Sequence, residues 1–308
     1  MNNFTLDVGD DGVALITFDL AGRSMNTITH AVQCEIGEFT ETIREDDRII
    51  GAILRSGQPT GFCAGADLNE LSADIERWAP AKSQEELRAA LSEASDFSRR
   101  IRALETVGKP IIAVIEGVAL GGGLELALGC HRRIGVLGDN LRLGLPEATL
   151  GLMPGAGGTQ RLPRIIGLNA ALAYILDGKP ITAEDAMATG ILHELAAPEQ
   201  AIAIARKWIM DGVSATAPWD EKGYRLPNGG PHTQAGYAVF GPAIAARRGA
   251  ARDADANILK ALYEGSQVPI DAALRIESRY FFNTLRTPTA AKRVGDFLAK
   301  PRAKASAA

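Results

Sequence analysis

The sequence is poor in the residues that build metal and disulfide sites. It has three cysteines and four histidines among 308 residues, and it contains neither a His-Glu-x-x-His nor a Cys-x-x-Cys pattern. The histidines follow no metal-ligand spacing, so we expect no metal. Because the cysteines are odd in number and far apart, they predict no disulfide framework and indicate a thiol-reducing, cytoplasmic compartment.

The chain also lacks a strong excess of one charge and has few aromatic residues. Thirty-three basic residues stand against 37 acidic ones, which gives a formal charge of −4, and aromatics make up 6%. This balance offers no general attraction to nucleic acid or to an anionic membrane. The N-terminus has neither the basic start nor the apolar run of a secretory signal, which again favours a cytoplasmic protein.

One apolar stretch has the length of a transmembrane helix. It covers residues 110–129 but contains Glu116, Glu125 and the glycine run Gly121–Gly123. Acidic residues are costly in a bilayer. A buried strand, a turn and a helix explain this stretch better, so we expect no membrane association.

The periodicity of the apolar residues predicts interleaved strands and helices over residues 1–210. The first strand is predicted to end near Leu20, and further strands are predicted over 49–54, 110–115 and 133–137. Helices are predicted over 30–45, 83–107, 124–129, 182–188 and 199–210. Such alternation is typical of a layered α/β fold.

The pattern changes after residue 210. Residues 214–236 are rich in proline and glycine and predict an irregular surface segment. Helices are predicted beyond it, over 254–264, over 269–285 and from Thr287 onward. We therefore expect an α/β core over residues 1–210, an irregular segment with C-terminal helices over 211–300, and a small, basic, disordered tail over 301–308.

A run of three glycines joins the strand at 110–115 to the next helix. Gly121, Gly122 and Gly123 carry no β-carbon, so a ligand can touch the backbone there. The first N–H groups of a helix have no internal partner and favour negative charge. The junction can therefore stabilise an oxyanion. The alternative is that these glycines only permit a close crossing of two backbones.

Two glutamates near this junction offer acid–base chemistry. Glu125 lies on the first turn of the helix, and Glu147 stands among apolar residues and prolines. Buried carboxylates are uncommon unless they are paired or protonated, and two in different environments can divide the work of general base and general acid. The alternative is a salt bridge to a nearby arginine: Arg132, Arg161 or Arg164.

Two further glycine-rich segments are less specific. Residues 61–68 provide a second place where backbone can be approached closely, and residues 154–161 lack both the lysine of a phosphate-binding loop and the full Gly-x-Gly-x-x-Gly pattern. We therefore expect no nucleotide or NAD site. The sequence also lacks the Gly-x-Ser-x-Gly pattern of serine hydrolases.

Three motifs together resemble the enoyl-CoA hydratase/isomerase, or crotonase, superfamily. They are F-C-A-G-A-D-L at 62–68, A-L-G-G-G-L-E-L-A at 119–127 and L-P-E-A-T-L-G-L-M-P-G-A-G-G-T-Q-R-L at 145–162. The resemblance covers residues 10–210. With W-D-E-K-G-Y at 219–224 and V-P-I-D-A-A-L-R-I-E-S-R-Y-F at 268–281, it extends to the hydratase half of the fused hydratase/3-hydroxyacyl-CoA dehydrogenases of fatty-acid β-oxidation.

The resemblance implies a crotonase-like spiral of ββα units with a C-terminal helical extension. It implies a lyase that hydrates trans-2-enoyl-CoA to 3-hydroxyacyl-CoA. By motif position, the amides of Ala66 and Gly122 would hold the thioester carbonyl, and Glu125 and Glu147 would activate water and deliver a proton. Alternatives left open are Δ3-Δ2-enoyl-CoA isomerisation at the same site and a non-catalytic acyl-CoA-binding subunit.

The resemblance also has implications for ligands and partners. It puts the adenine and pantetheine contacts of CoA near Ser24, Met25, Ala64 and Asp67. CoA is then part of the substrate, and no separate cofactor is expected. The resemblance implies a homo-oligomer, either a trimer or a dimer of trimers. It leaves open whether the chain stands alone or is the hydratase half of a fused enzyme whose dehydrogenase domain is missing.

Overall fold

Two β-sheets organise the computed structural model, which describes residues 1–246 and 253–300. The nine strands of these residues are β1 (Phe4–Val8), β2 (Val13–Phe18), β3 (Gly51–Ser56), β4 (Gly61–Cys63), β5 (Ile111–Ile115), β6 (Val118–Leu120), β7 (Arg132–Val136), β8 (Arg142–Gly144) and β9 (Glu194–Ala196). The larger sheet has the order β1-β2-β3-β5-β7-β9, and the smaller has β4-β6-β8. Only the β1–β2 pair is antiparallel.

Thirteen α-helices lie within the same described residues. They are α1 (His30–Glu45), α2 (Leu68–Trp78), α3 (Gln84–Ala94), α4 (Asp96–Glu105), α5 (Gly122–Leu128), α6 (Gly158–Ile166), α7 (Leu168–Leu176), α8 (Ala183–Thr189), α9 (Pro198–Met210), α10 (Gln234–Ala246), α11 (Asp253–Gly265), α12 (Ile270–Leu285) and α13 (Pro288–Leu298). Two short 3-10 helices cover Glu147–Leu150 and Pro218–Asp220. None of the helices among the described residues has the length and apolarity needed to cross a membrane.

The chain repeats a unit of two strands and a helix. The pairs β3–β4, β5–β6 and β7–β8 each contribute one strand to the larger sheet and the next to the smaller, and α2, α5 and α6 follow them. Parallel neighbours require such crossovers, since a tight hairpin can join only antiparallel strands. The predicted α/β fold, with its spiral of ββα units and its C-terminal helices, is confirmed.

The central strands of the larger sheet, β3, β5 and β7, are buried on both faces. Along β5, Ile111 and Ala113 pack into the main core, whereas Ile112 and Val114 pack into a second core under α9. A strand covered on both sides has no polar alternation, which is why residues 110–115 form a continuous apolar run. The stretch 110–129 therefore forms a buried strand and a helix, as predicted, with the short strand β6 between them.

The structure departs from the sequence predictions in two helical regions. The single helix predicted over 83–107 is broken into α3 and α4 at Ser95, whose hydroxyl donates to the Ser92 carbonyl. The helix α10 was not among the predicted helices, and its first three residues fall in the segment 214–236 that was predicted to be irregular. The expected irregular segment therefore ends at residue 233. Residues 301–308, predicted to be a tail, lie outside the described residues, and the division at residue 210 stays a prediction.

Candidate active site

A cavity of about 840 Å³ opens where the two sheets meet the C-terminal helices. It is lined by the loop between β4 and α2, by the start of α5, by the 3-10 helix at Glu147–Leu150, and by Phe281, Phe297 and Leu298 of α12 and α13. Six predicted site residues line it: Ala64, Ala66, Asp67, Gly122, Glu125 and Glu147. The structure thus brings residues from three separate motifs to one cavity.

Two backbone segments cross closely at the cavity wall. Gly65 has a φ of +95°, and a β-carbon there would lie 2.9 Å from the Leu120 carbonyl oxygen and 3.3 Å from the Gly122 nitrogen. A side chain at this position would be both strained and obstructed. The crossing brings the Ala66 nitrogen within 3.8 Å of the place that a β-carbon of Gly122 would occupy. The close-crossing explanation of the glycines and the ligand-binding explanation therefore apply together.

The backbone around Ala66 leaves its N–H group free. The carbonyl of Gly65 accepts from the Ile28 N–H at 2.8 Å, and the Asp67 N–H donates to the Ile28 carbonyl at 3.0 Å. Among the described residues, neither the Ala66 N–H nor the Gly122 N–H donates a hydrogen bond. Because these two N–H groups have no protein partner within the described part of the chain and lie beside a cavity, both can donate hydrogen bonds to an oxygen of a ligand.

Of the four residues predicted to contact CoA, two line the cavity and two lie outside its lining. Ala64 and Asp67 line the cavity, and the Asp67 carboxylate caps α2 by accepting from the Asn69 N–H at 2.9 Å. Ser24 and Met25 do not belong to the lining found among the described residues; both contact the Thr60 hydroxyl instead. Their neighbour Arg23 does line the cavity, 3.5 Å from the Asp67 carboxylate.

Glu125 is held by backbone amides from another element. Its Oε1 accepts from the Ala156 N–H at 2.8 Å and from the Gly158 N–H at 2.7 Å. Burial raises the pKa of Glu125 to about 6, while the two amides and the charge of Arg161 act in the opposite direction. The ionised form is therefore accessible near neutral pH.

The alternative in which an arginine neutralises these glutamates does not describe the structure. Arg161 makes a buried bidentate pair with Glu105, at 2.8 and 3.0 Å. The Arg132 side chain donates to the His131 carbonyl, and Arg164 donates to backbone carbonyls that include those of Gly265 and Val268.

Glu147 lies in the same cavity without comparable partners. Its Oε2 is buried and has no hydrogen-bond partner among the described residues. Its Oε1 lies 3.1 Å from the place of a β-carbon on Gly121, whose φ is +53°, so only glycine fits beside it. Burial raises the pKa of Glu147 well above its ordinary value, and the charges of Glu125 and Glu277 add to this. Burial therefore favours the protonated form of Glu147, whereas the amides that donate to Glu125 favour its ionised form.

Sequence reasoning missed a third buried carboxylate, that of Glu277 on α12. Its Oε1 accepts from the Gly157 N–H at 2.5 Å, and its Oε2 accepts from the Thr159 N–H at 2.8 Å and from the Thr159 hydroxyl. Burial, followed by the charge of Glu125, raises the pKa of Glu277 to about 8. A signal was available, because Glu277 continues the helical spacing of the apolar residues Ile270 and Leu274.

The arrangement can polarise a carbonyl group and move protons. Two free N–H donors face a cavity that also holds two carboxylic acids in different environments. Such a pair can divide base and acid work, and the donors can stabilise negative charge on an oxygen. Trp78 of α2, together with Phe281 and Phe297, adds an apolar wall. The described residues hold no group of three or more His, Cys, Asp or Glu side chains arranged to bind a metal ion.

Comparison with known proteins identifies a protein family that this sequence matches. The family model described as enoyl-CoA hydratase/isomerase matches residues 9–217. The fatty acid oxidation complex subunit alpha of Idiomarina loihiensis is 41% identical over 192 residues, which are 62% of this chain and 26% of that protein. The protein of the same name from a Shewanella species is 39% identical over 192 residues, with the same coverage. The matched region thus spans about a quarter of each curated relative.

Solved structures agree with this match. An enoyl-CoA hydratase from Bacillus anthracis is 27% identical, with a TM-score of 0.58 over 93% of this chain and 92% of that one. An enoyl-CoA hydratase from Bacillus halodurans has a TM-score of 0.67 over 96% of this chain and 99% of that one, at 21% identity. At that identity, the second likeness supports the fold.

Proposed function

Because the chain belongs to the enoyl-CoA hydratase/isomerase family, we propose that it is a hydratase that adds water reversibly to trans-2-enoyl-CoA to give 3-hydroxyacyl-CoA. The observation that carries the proposal is that Glu125 and Glu147 line the same cavity as the free N–H groups of Ala66 and Gly122. Hydration requires a base for water, an acid for carbon and a site for negative charge, and these four residues can supply all three.

In the proposed reaction, the thioester carbonyl oxygen accepts hydrogen bonds from Ala66 and Gly122. Ionised Glu125 takes a proton from water as the water oxygen bonds to C3, and the electrons of the double bond move onto the carbonyl oxygen. The enolate then takes a proton at C2 from Glu147. Each N–H donor is worth roughly 3 kcal/mol to the enolate-like state. Proton exchange with solvent restores both carboxyl groups.

We propose that the CoA part of the substrate passes Ala64 and Asp67, with Ser24 and Met25 at the adjoining edge. Arg23 supports this orientation, since its guanidinium lines the cavity and suits a phosphate group. The acyl chain would then lie along the apolar wall formed by Trp78 and the C-terminal helices. This reaction needs no redox cofactor, because no electrons leave the substrate.

We also propose a place in fatty-acid β-oxidation. The curated relatives carry the name fatty acid oxidation complex subunit alpha. The 3-hydroxyacyl-CoA product is a secondary alcohol, so a dehydrogenation step is the class of reaction that would consume it. We propose that the chain acts in the cytoplasm as a homo-oligomer, which sedimentation of the purified protein would test.

The test is a turnover assay with short, medium and long trans-2-enoyl-CoA substrates, followed by loss of the absorbance of the conjugated thioester. Glu125→Gln and Glu147→Gln should each lower kcat by about 10²- to 10⁴-fold. Glu116→Gln is the matched control, because Glu116 is half-buried beside Arg55 and lies outside the cavity lining. Unchanged turnover in Glu147→Gln would remove Glu147 from the mechanism.

Two further outcomes separate the alternatives. Conversion of a 3-enoyl-CoA to a conjugated product without hydration of a 2-enoyl-CoA would assign isomerisation instead. Binding of CoA thioesters without turnover at any chain length would assign a non-catalytic binding role. The presence of Glu125 beside Glu147 favours hydration over both alternatives, because isomerisation can use one carboxylate and a binding role needs no carboxylate.

A further inference from the structure

The turn at residues 155–159 lies between two buried carboxylates, which accept hydrogen bonds from alternate backbone N–H groups of the turn. The N–H groups at 156 and 158 donate to Glu125. Those at 157 and 159 donate to Glu277, which reaches the turn from α12 on the C-terminal extension. Glu125 is proposed to take part in the reaction, and Glu277 accepts hydrogen bonds from the neighbouring amides of the same turn.

We propose that Glu277 is a positioning residue that holds this turn so that its other amides orient Glu125 toward the substrate. This inference rests on the proposed function of Glu125. Glu277 does not line the cavity that contains Glu125 and Glu147, so it acts through the turn and not on the substrate. It also lies beyond residues 9–217, the part of the chain that the family model matches.

The hydrogen bonds require both carboxylate oxygens of Glu277. One oxygen serves the Gly157 N–H, and the other serves the N–H and the hydroxyl of Thr159. Both backbone partners can only donate, and the Thr159 hydroxyl, which accepts from the Gln160 amide at 2.8 Å, donates to Glu277 as well. A glutamine at position 277 has one acceptor oxygen, and its NH₂ group would face a donor. The site is therefore specific for a carboxylate and not merely for a side chain of that size.

The carbonyl groups of the turn have partners on α6, because Arg161 donates to the Ala156 carbonyl at 3.0 Å and its backbone N–H donates to the Gly157 carbonyl at 2.7 Å, but the N–H groups of Gly157 and Thr159 depend on Glu277. Gly157 has a φ of +112° and lies directly before α6, a conformation that favours glycine and offers no side chain for packing. If the Glu277 oxygens are lost, two buried N–H groups remain unpaired, which is costly enough to move the backbone. A shift of the turn would then be transmitted to Glu125, whose carboxylate accepts hydrogen bonds, among the described residues, from the amides at 156 and 158.

The charge of Glu277 also reaches the site. Among the described residues, the charged groups that bear on Glu277 are Glu125 on α5, Glu147 on the 3-10 helix, and Arg161 and Arg164 on α6. Arg161 is committed to Glu105. As Glu277 ionises, near its pKa of about 8, its negative charge raises the pKa of Glu147, so the proposed acid stays protonated to higher pH. Removing that charge should therefore lower the pH at which Glu147 loses its proton.

The experiment compares Glu277→Gln, Glu277→Asp and the control Glu264→Gln in the full chain. Glu264 pairs with Arg279 between α11 and α12, so the control removes a carboxylate from the same extension without touching the turn. We expect kcat to fall about 10- to 100-fold in both Glu277 variants, as for a small displacement of a reacting group, with KM changed much less. The alkaline limb of the pH profile should move to lower pH in Glu277→Gln and stay in place in Glu277→Asp.

Hydrogen exchange followed by mass spectrometry provides a readout that does not depend on turnover. Peptides that cover residues 155–159 should exchange faster in both Glu277 variants than in the wild type or in Glu264→Gln. A folded Glu277→Gln protein with wild-type kcat and an unmoved pH profile, or with unchanged exchange in the turn, would overturn the inference. If the wild type itself shows no turnover, the proposed function fails, and exchange in the turn still decides the role of Glu277.

Discussion

Glu125 and Glu147 line one cavity, yet backbone amides of another element hold Glu125 alone of the two, as far as the described residues show. Two backbone amides donate to its Oε1, whereas the buried Oε2 of Glu147 has no partner among the described residues. Hydrogen bonds to a carboxylate favour its charged form, and burial without them favours the neutral form. The pKa of Glu125 is thus raised only to about 6, while that of Glu147 is raised well above its ordinary value.

This difference predicts a bell-shaped pH profile for kcat/KM in the hydration reaction. Activity should rise as Glu125 ionises, near the pKa of about 6, and fall at higher pH as Glu147 loses its proton. The apparent values belong to the pair, because the two groups interact. Initial rates between pH 5 and 10 with one enoyl-CoA provide the measurement. A profile that stays flat through pH 6 would contradict the assignment of Glu125 as the base.

The same difference predicts that Glu147 lowers stability as the pH rises. Its pKa in the folded protein lies above the ordinary value of 4.5, so folding favours the protonated form. That contribution is fully present below pH 4.5 and is lost as the pH rises toward the folded pKa. Glu147→Gln removes this dependence. Between pH 5 and 8, the free energy of unfolding of the wild type should therefore fall relative to that of the variant.

Urea unfolding of the two proteins at several pH values measures this effect. The difference between the two proteins is the useful quantity, because contributions from carboxylates distant from Glu147 cancel in it. Glu116→Gln is the control for the substitution itself, since Glu116 is partly exposed. A wild type that gains stability relative to Glu147→Gln over this range would show that Glu147 is ionised in the folded protein.

Much of the site was accessible to sequence reasoning because its residues lie in short motifs. Glu125 and Gly122 share one helix start, and Ala66 follows a glycine that permits the backbone crossing. Local patterns of glycine and carboxylate residues of this kind can be interpreted from the sequence before the fold is known. The α/β order was also predictable, since the buried strands and the helices have different periods.

The role of Glu277 was less accessible because its partners are distant in sequence. Its bond to Gly157 joins residues 120 apart, and no local pattern fixes which of the C-terminal helices reaches the turn. The partners of the arginines were hidden for the same reason. Arg161 is 56 residues from Glu105, and the sequence offered several nearer candidates.

The buried pair of Arg161 and Glu105 should be strongly coupled. Both side chains are almost fully buried, at 0% and 2% exposure. Arg161→Met leaves the Glu105 carboxylate with Arg102 as its remaining cation, and breaking such a pair costs about 3–5 kcal/mol. The double variant with Glu105→Met should lose less stability than the two single variants added together. A double-mutant cycle in urea measures the coupling free energy.

The surface pair of Arg55 and Glu116 provides the comparison for that cycle. Its atoms are 3.5 Å apart, and both side chains are about one third exposed, at 32% and 30%. Exposed pairs contribute about 0.2–1 kcal/mol, so the cycle of Arg55→Met and Glu116→Gln should give a much smaller coupling. Equal couplings in the two cycles would show that burial does not strengthen the Arg161–Glu105 pair.

Alanine substitutions at Gly157 and Gly190 should differ in their effect on the free energy of unfolding. At Gly190 alanine adds backbone strain alone, whereas at Gly157 it adds strain and a steric clash. Both have positive φ, +112° and +79°, so alanine costs about 1–2 kcal/mol at either position. At Gly190, no atom of the described residues lies within 4 Å of the new β-carbon, whereas at Gly157 the β-carbon would overlap the Arg161 guanidinium. Gly157→Ala must therefore displace a buried cation as well. It should lower the free energy of unfolding by clearly more than Gly190→Ala in urea titrations, and it should also lower kcat, since the turn that holds Glu125 moves. Equal losses of stability, with kcat unchanged in both variants, would contradict the tight packing of Arg161 against this turn.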